Sequence, residues 1–184
     1  MLKVVFVDRD GVLIRAPKIN NRPHSIKNLK ELKIMNGVVQ GVKILKKNFK
    51  IIMITNQPDV YRKKVKKKDV EKINNFLKKK LDLDDVYVCY HDDIHKCRCR
   101  KPNAGMLLLA KKKWNISFKK SFLIGDRSSD VIAGKKVGCT NFFINYNYNE
   151  KLPDKKNCYY VKSFYQAVLK INKNLKEDKD NEQH

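Results

Sequence analysis

An α/β chain with a doubly wound parallel sheet is predicted by three observations. Short, unbroken apolar runs, KVVFVD at 3–8, FKIIMIT at 49–55 and SFLIG at 121–125, carry the β-branched and aromatic residues of strands buried on both faces. Between them lie segments whose apolar residues recur at helical spacing. Strand and helix also alternate along the chain, which is the pattern of parallel crossover units.

The elements follow in order. Residues 3–8 form a first strand that ends at a charged turn. Residues 37–48, GVVQGVKILKKN, set Val38, Val39, Val42 and Leu45 on one helical face, and 49–55 is the second strand. The low-complexity run KKVKKK at 63–68 reads as an exposed loop leading into a lysine-rich helix, 66–80, with Val70, Ile73, Phe76 and Leu77 on one side. VYVC at 86–89 is a short third strand, and AGMLLLAKKK at 104–113 a helix. The fourth strand, 121–125, is followed by a helix at 129–137, and NFFI at 141–144 is a fifth strand. A last helix covers 163–174. The length fits one domain, 1–175, with the polar stretch 176–184 expected to be disordered.

Composition narrows the setting. No stretch approaches the ~20 apolar residues needed to span a bilayer. The opening MLKVVFVDRDGVLI is broken by charge at once and has no small-residue cleavage site, so a cytoplasmic location is expected. The formal charge of +23 comes from thirty-five lysines and only seven arginines, and the lysines are spread over helix faces. That distribution reads as a solvated basic surface, and nucleic acid is not the expected partner. Five cysteines in such a chain argue against a disulfide framework.

In such sheets ligands bind beyond the carboxyl ends of the strands, and the polar motifs fall there. Asp8 and Asp10 follow the first strand; two carboxylates one residue apart can reach one small volume, one as nucleophile and metal ligand, the other as acid and base. Gly11 permits a tight turn. Thr55 and Asn56 end the second strand and offer a hydroxyl and a backbone N–H to phosphate oxygens. Lys101 adds positive charge. Asp126, after the fourth strand, suits a hard cation such as Mg²⁺, and Asp130 could orient Lys101 or a water on the metal. Separately, Cys89, His91, Cys97 and Cys99 offer three thiolates and an imidazole at the spacing of a closed, structural Zn²⁺ site, with His95 as a rival ligand. Arg100 and Lys101 follow Cys99 directly, so zinc would fix where both point.

These motifs resemble those of the haloacid dehalogenase superfamily of phosphatases, subfamily III, over residues 4–144: FVDRDGV, ITNQ, the lysine of CRKP, and GDRSSD. The resemblance implies a Rossmann-like fold without a large cap domain. It implies that Asp8 attacks phosphorus to form an aspartyl-phosphate, that Asp10 is acid and base, and that Thr55 and Lys101 stabilise the phosphoryl group. Mg²⁺ would lie on Asp8, the Asp10 carbonyl and Asp126. The cysteine cluster before RKP resembles that of heptose 1,7-bisphosphate 7-phosphatases and of histidinol-phosphatases, and KPNAGMLL is closer to the former. A small phosphorylated sugar is therefore the expected substrate, with Asn56, Gln57, Arg100 and Arg127 as substrate contacts, Arg127 toward a second phosphate. A monomer is favoured. A nucleic-acid 3′-end phosphatase is the rival reading, and a noncatalytic scaffold is disfavoured by the presence of both Asp8 and Asp10. The segments LIRAPKINNRPHSIKNLKEL and QPDVYRKK depart from the heptose pattern, and Arg15, Arg22 and His24 within the first read as surface residues.

Overall fold

The computed structural model describes the backbone of residues 1–181 and the side chains of residues 1–175. Strand β1 (Val4–Val7) is followed by a small hairpin, β2 (Lys18–Ile19) and β3 (Arg22–Pro23), and then by α1 (Val38–Leu45). Next come β4 (Lys50–Asn56), α2 (Lys67–Lys80), β5 (Asp85–Cys89) and α3 (Gly105–Trp114). The chain continues through β6 (Phe122–Gly125), α4 (Ser128–Val137), β7 (Thr140–Ile144), β8 (Cys158–Val161) and α5 (Phe164–Asn181). The last helix thus takes in 176–181 of the segment expected to be disordered, and residues 182–184 lie outside the described residues.

The main sheet has six strands in the order β5-β4-β1-β6-β7-β8, and every pairing is parallel. The chain winds outward from β1 to β5, then crosses back to β6 and winds the other way, so β1 stands at the reversal where doubly wound sheets bind ligands. Alternation along β1 divides the core. Val5 and Val7 face α1, α2 and α5, while Val4 and Phe6 face α3 and α4. Helix α5 closes on α1 at Gly41, where a β-carbon would come within 2.7 Å of the Phe164 ring. Among the described residues, no helix is long and apolar enough to cross a membrane.

Two features were not legible as elements. Strand β8 is an edge strand in which Tyr159 is exposed and Tyr160 half-buried, so its pattern is not that of a buried run. The hairpin β2–β3 has two residues per strand, too few to show a period of two.

Candidate active site

The carboxyl ends of β1, β4 and β6 and the segment after β5 converge. Asp8 leaves β1, Thr55 is the penultimate residue of β4, Asp126 follows β6, and Asp130 sits in the first turn of α4. Lys101 is buried among them, its Nζ 2.9 Å from Asp8 Oδ1 and 2.5 Å from Asp130 Oδ1, and it donates to the Ile54 carbonyl at 3.0 Å. Burial pulls the Lys101 ammonium down, but the Asp130 and Asp8 carboxylates outweigh it and hold its pKa above the ordinary lysine value.

Charge here is unbalanced toward the negative. Carboxylate oxygens of Asp8, Asp126 and Asp130 all lie within 4.8 Å of one another. Burial pushes Asp130 up to about 6, with the Lys101 charge opposing the rise and the Asp8 charge adding to it. Burial, then the charges of Asp8 and Asp130, lift Asp126 well above the usual carboxylate range. Asp126 Oδ1 is buried with no hydrogen-bond partner, although Oδ2 accepts from the Tyr148 hydroxyl at 2.9 Å. An orphaned carboxylate oxygen among like charges is the surrounding that a hard divalent cation satisfies, so the residues fit such an ion. Gly11 makes the close approach possible: its φ is +81°, and a β-carbon there would collide with Asp126 Oδ2 at 2.0 Å.

Asp10 is held by three groups. Arg9, fully buried, places Nη2 2.9 Å and Nε 3.1 Å from Asp10 Oδ2, and its Nη1 donates to Asn74 Oδ1 of α2 at 3.0 Å. Gln57 Nε2 donates to Asp10 Oδ2 and to Thr55 Oγ1, both at 2.8 Å. Ser25 Oγ lies 3.4 Å from the same carboxylate. Of Asn56 and Gln57, both expected at the substrate, Asn56 lines the cavity described below, while the side-chain amides of both also bond to neighbours. The Asn56 amide brackets the Lys101 backbone, donating to its carbonyl at 3.0 Å and accepting from its N–H at 3.1 Å.

The predicted cysteine–histidine set comes together after β5. Cys99 Sγ lies 3.3 Å from Cys89 Sγ, 3.5 Å from Cys97 Sγ and 3.3 Å from His91 Nδ1. Cys89 Sγ lies 3.7 Å from Cys97 Sγ and 3.6 Å from His91 Nδ1. A tetrahedron built on metal–sulfur bonds of about 2.3 Å has sulfur–sulfur edges of about 3.7 Å, so these donors fit Zn²⁺. His95, the rival ligand, instead accepts the Asp92 N–H through Nδ1 at 3.1 Å. The cluster reaches Lys101 through the backbone, since the Arg100 N–H points at Cys97 Sγ, 3.4 Å away.

Above the carboxylates opens a cavity of about 410 Å³, lined in part by Asp8, Asp10, Arg22, Arg62, Arg100 and Arg127. Arg100 Nε donates to Asp93 at 2.6 Å, Arg127 Nε to Glu150 at 2.9 Å, and Arg62 pairs with Asp92 at 2.5 Å. Arg15 does not line it, while Arg22 and His24, read as surface residues, do. Sequence reasoning missed Arg62, Asn74, Tyr148 and Glu150. Their roles depend on contacts between distant segments, which no local pattern announces.

A strand-end aspartate beside a buried ammonium, on a sheet of this winding, fits the phosphatases of the haloacid dehalogenase superfamily, and the relatives of this chain place it among them. Within that class the chain belongs to the family described as polynucleotide kinase 3 phosphatase, whose model matches residues 3–161. It is 31% identical over 156 residues to the D-glycero-alpha-D-manno-heptose-1,7-bisphosphate 7-phosphatase of Photorhabdus laumondii, covering 78% of this chain and 82% of that protein. It is 32% identical over 146 residues to the D-glycero-beta-D-manno-heptose-1,7-bisphosphate 7-phosphatase of Helicobacter pylori, covering 76% of this chain and 81% of that one. Its fold is similar to that of the D,D-heptose 1,7-bisphosphate phosphatase of B. bronchiseptica, crystallised with magnesium and phosphate. That match has a TM-score of 0.79 at 18% identity and covers 94% of this chain and 99% of that one.

Proposed function

We propose that this phosphatase removes the 7-phosphate of D-glycero-D-manno-heptose 1,7-bisphosphate, working with Mg²⁺ at Asp8, Asp126 and the Asp10 carbonyl and with a structural Zn²⁺ on Cys89, His91, Cys97 and Cys99. The observation that carries the chemistry is Asp8, whose Oδ1 lies 2.9 Å from the Lys101 ammonium at the floor of the cavity. The relatives at 31% and 32% identity, both named heptose bisphosphatases, support the substrate. Five free cysteines suit the reducing cytoplasm, where we place the protein.

The chain's own residues supply the steps. The Asp8 carboxylate attacks phosphorus as the bond to the sugar oxygen breaks, and Asp10 gives that oxygen a proton. Lys101 and the Thr55 hydroxyl meet the phosphoryl oxygens, where catalysis is chiefly positioning and charge stabilisation. Asp10, now a base, takes a proton from the water that attacks the aspartyl-phosphate, releasing inorganic phosphate and restoring Asp8. Mg²⁺, when bound, neutralises charge shared by the carboxylates and the phosphoryl group. Arg9 and Gln57 keep Asp10 aimed, and Asn56 keeps Lys101 in place.

Asp8→Asn should abolish turnover without lowering the melting temperature in EDTA, since it removes one of three crowded carboxylates. Asp10→Asn should cut kcat by roughly 10²–10⁴-fold. Residual steady-state turnover by Asp8→Asn near the wild-type rate refutes the nucleophile. Substrate is tested by kcat/KM over heptose bisphosphate, histidinol phosphate and oligonucleotide 3′-phosphates with Mg²⁺. The family match to a nucleic-acid end phosphatase makes the last arm the one to beat. Faster, steeply salt-dependent turnover of oligonucleotides would replace the sugar.

A further inference from the structure

The cations around the cavity are not equivalent. Lys101 is committed to Asp8 and Asp130, Arg62 to Asp92, Arg100 to Asp93 and Arg127 to Glu150. A cation already paired has its charge largely balanced and some of its donors taken before a substrate anion arrives. Arg22 lines the same cavity, and among the described residues it has no acidic partner. Its planar fork is therefore free for two-point binding of a phosphate.

The Arg22 side chain is exposed, but the backbone that carries it is held in place. It opens β3, directly after a two-residue turn in which Asn20 and Asn21 have φ of 50° and 53°. Positive φ at both turn residues marks the hairpin turn whose twist matches its strands, and asparagine tolerates it. The turn is fastened to the loop after β7: Asn21 Nδ2 donates to the Asn147 carbonyl at 2.7 Å, and the Asn149 N–H donates to the Asn21 carbonyl at 3.2 Å. Lys18 Nζ lies 5.3 Å and 5.1 Å from the ring centres of Tyr146 and Tyr148. That loop in turn touches the reaction centre, because Tyr146 donates to the Gly11 carbonyl at 3.1 Å and Tyr148 to Asp126. A short chain of contacts thus ties the position of Arg22 to that of the catalytic carboxylates.

We propose that Arg22 binds a second phosphate on the substrate, remote from the reacting one, and so sets a preference for bisphosphates over monophosphates. The inference rests on the sugar-bisphosphate reading above. It places the distal anion at the hairpin, not at Arg127, whose charge Glu150 already balances. Among the described residues no contact joins Arg22 to Asp8 or Lys101, so Arg22 acts on binding of the remote group and not on the chemical step.

The test measures kcat/KM for heptose 1,7-bisphosphate and for the matched heptose 7-phosphate in wild type, Arg22→Ala, Arg22→Lys and, as a control off the cavity, Arg15→Ala. The wild-type ratio of bisphosphate to monophosphate should be high. Arg22→Ala should lower that ratio at least about tenfold, through KM for the bisphosphate with kcat little changed. Arg22→Lys should recover part of it, and Arg15→Ala should leave it alone. A high wild-type ratio that survives in Arg22→Ala, or an equal loss on both substrates, overturns the role of Arg22 and leaves the sugar-bisphosphate reading standing. A wild-type ratio near one overturns both.

Discussion

Several single residues in this protein are intelligible only through what surrounds them. Arg9 is fully buried, and it is tolerable there because Asp10 and Asn74 take up its donors. Asp85, at the start of β5, shows the same logic away from the site. Burial alone would raise its pKa, but hydrogen bonds from Trp114 Nε1 and Lys113 Nζ, both 2.9 Å, and from the Val86 N–H outweigh it and bring it down to about 2. A carboxyl depressed in the folded state contributes stability that is present above its unfolded pKa and fades as pH falls toward the folded one. Asp85→Asn should therefore cost about 1.5–3 kcal/mol near neutral pH. The gap should hold down to about pH 4 and narrow below it. Urea unfolding of both proteins from pH 6 to pH 3 checks this, and a gap that stays constant to pH 3 argues against the assignment. At this scale Asp8, Asp10, Asp126 and the zinc donors were legible because strand ends and short spacings are local facts. The Arg9–Asn74 contact spans 65 positions, and nothing near either residue signals it.

At the scale of elements, the segment between β5 and α3 links two sites. The cysteine–histidine cluster fixes the chain just before Arg100 and Lys101, and the Asn103 amide donates to the Cys97 carbonyl at 2.9 Å, closing the turn. Few apolar side chains hold this stretch, so the Zn²⁺ we propose would supply the order that a core supplies elsewhere. Stripping zinc, or replacing Cys99 by Ser, should lower kcat/KM by about 10- to 100-fold and admit protease at 91–100 while the sheet stays folded. Kinetic constants together with limited proteolysis and far-UV circular dichroism measure both effects. Unchanged kinetics in protein shown to be zinc-free defeats the coupling. The buried strands were legible because parallel strands covered on both faces are apolar throughout. The hairpin that carries Arg22 was not, because its signal is the backbone of two asparagines and not any run of side chains.

The whole molecule carries a formal charge of +23, yet its fold is set by two cores on either side of one sheet. Helix α5 completes the larger core. Phe164, Val168 and Ile171 are all buried there, and α5 packs on α1. Burying three such side chains contributes about 4.5–9 kcal/mol, against a total stability of about 5–15 kcal/mol for a domain. A chain ending at Lys162 should therefore lose cooperative unfolding and near-UV circular dichroism. A cooperative melt within a few degrees of the full chain would show that the helix is dispensable.

The position of β1 at the centre of the sheet has a consequence for the order of events on the ribosome. Asp8, at the end of β1, is made before β6, which pairs with β1, and before the helix that packs over α1. A nascent chain therefore carries the Asp8 carboxylate before Lys101, Asp126 and the closing helix have joined it. With Asp8 as the nucleophile we propose, hydrolysis would begin only once those later segments have closed on β1.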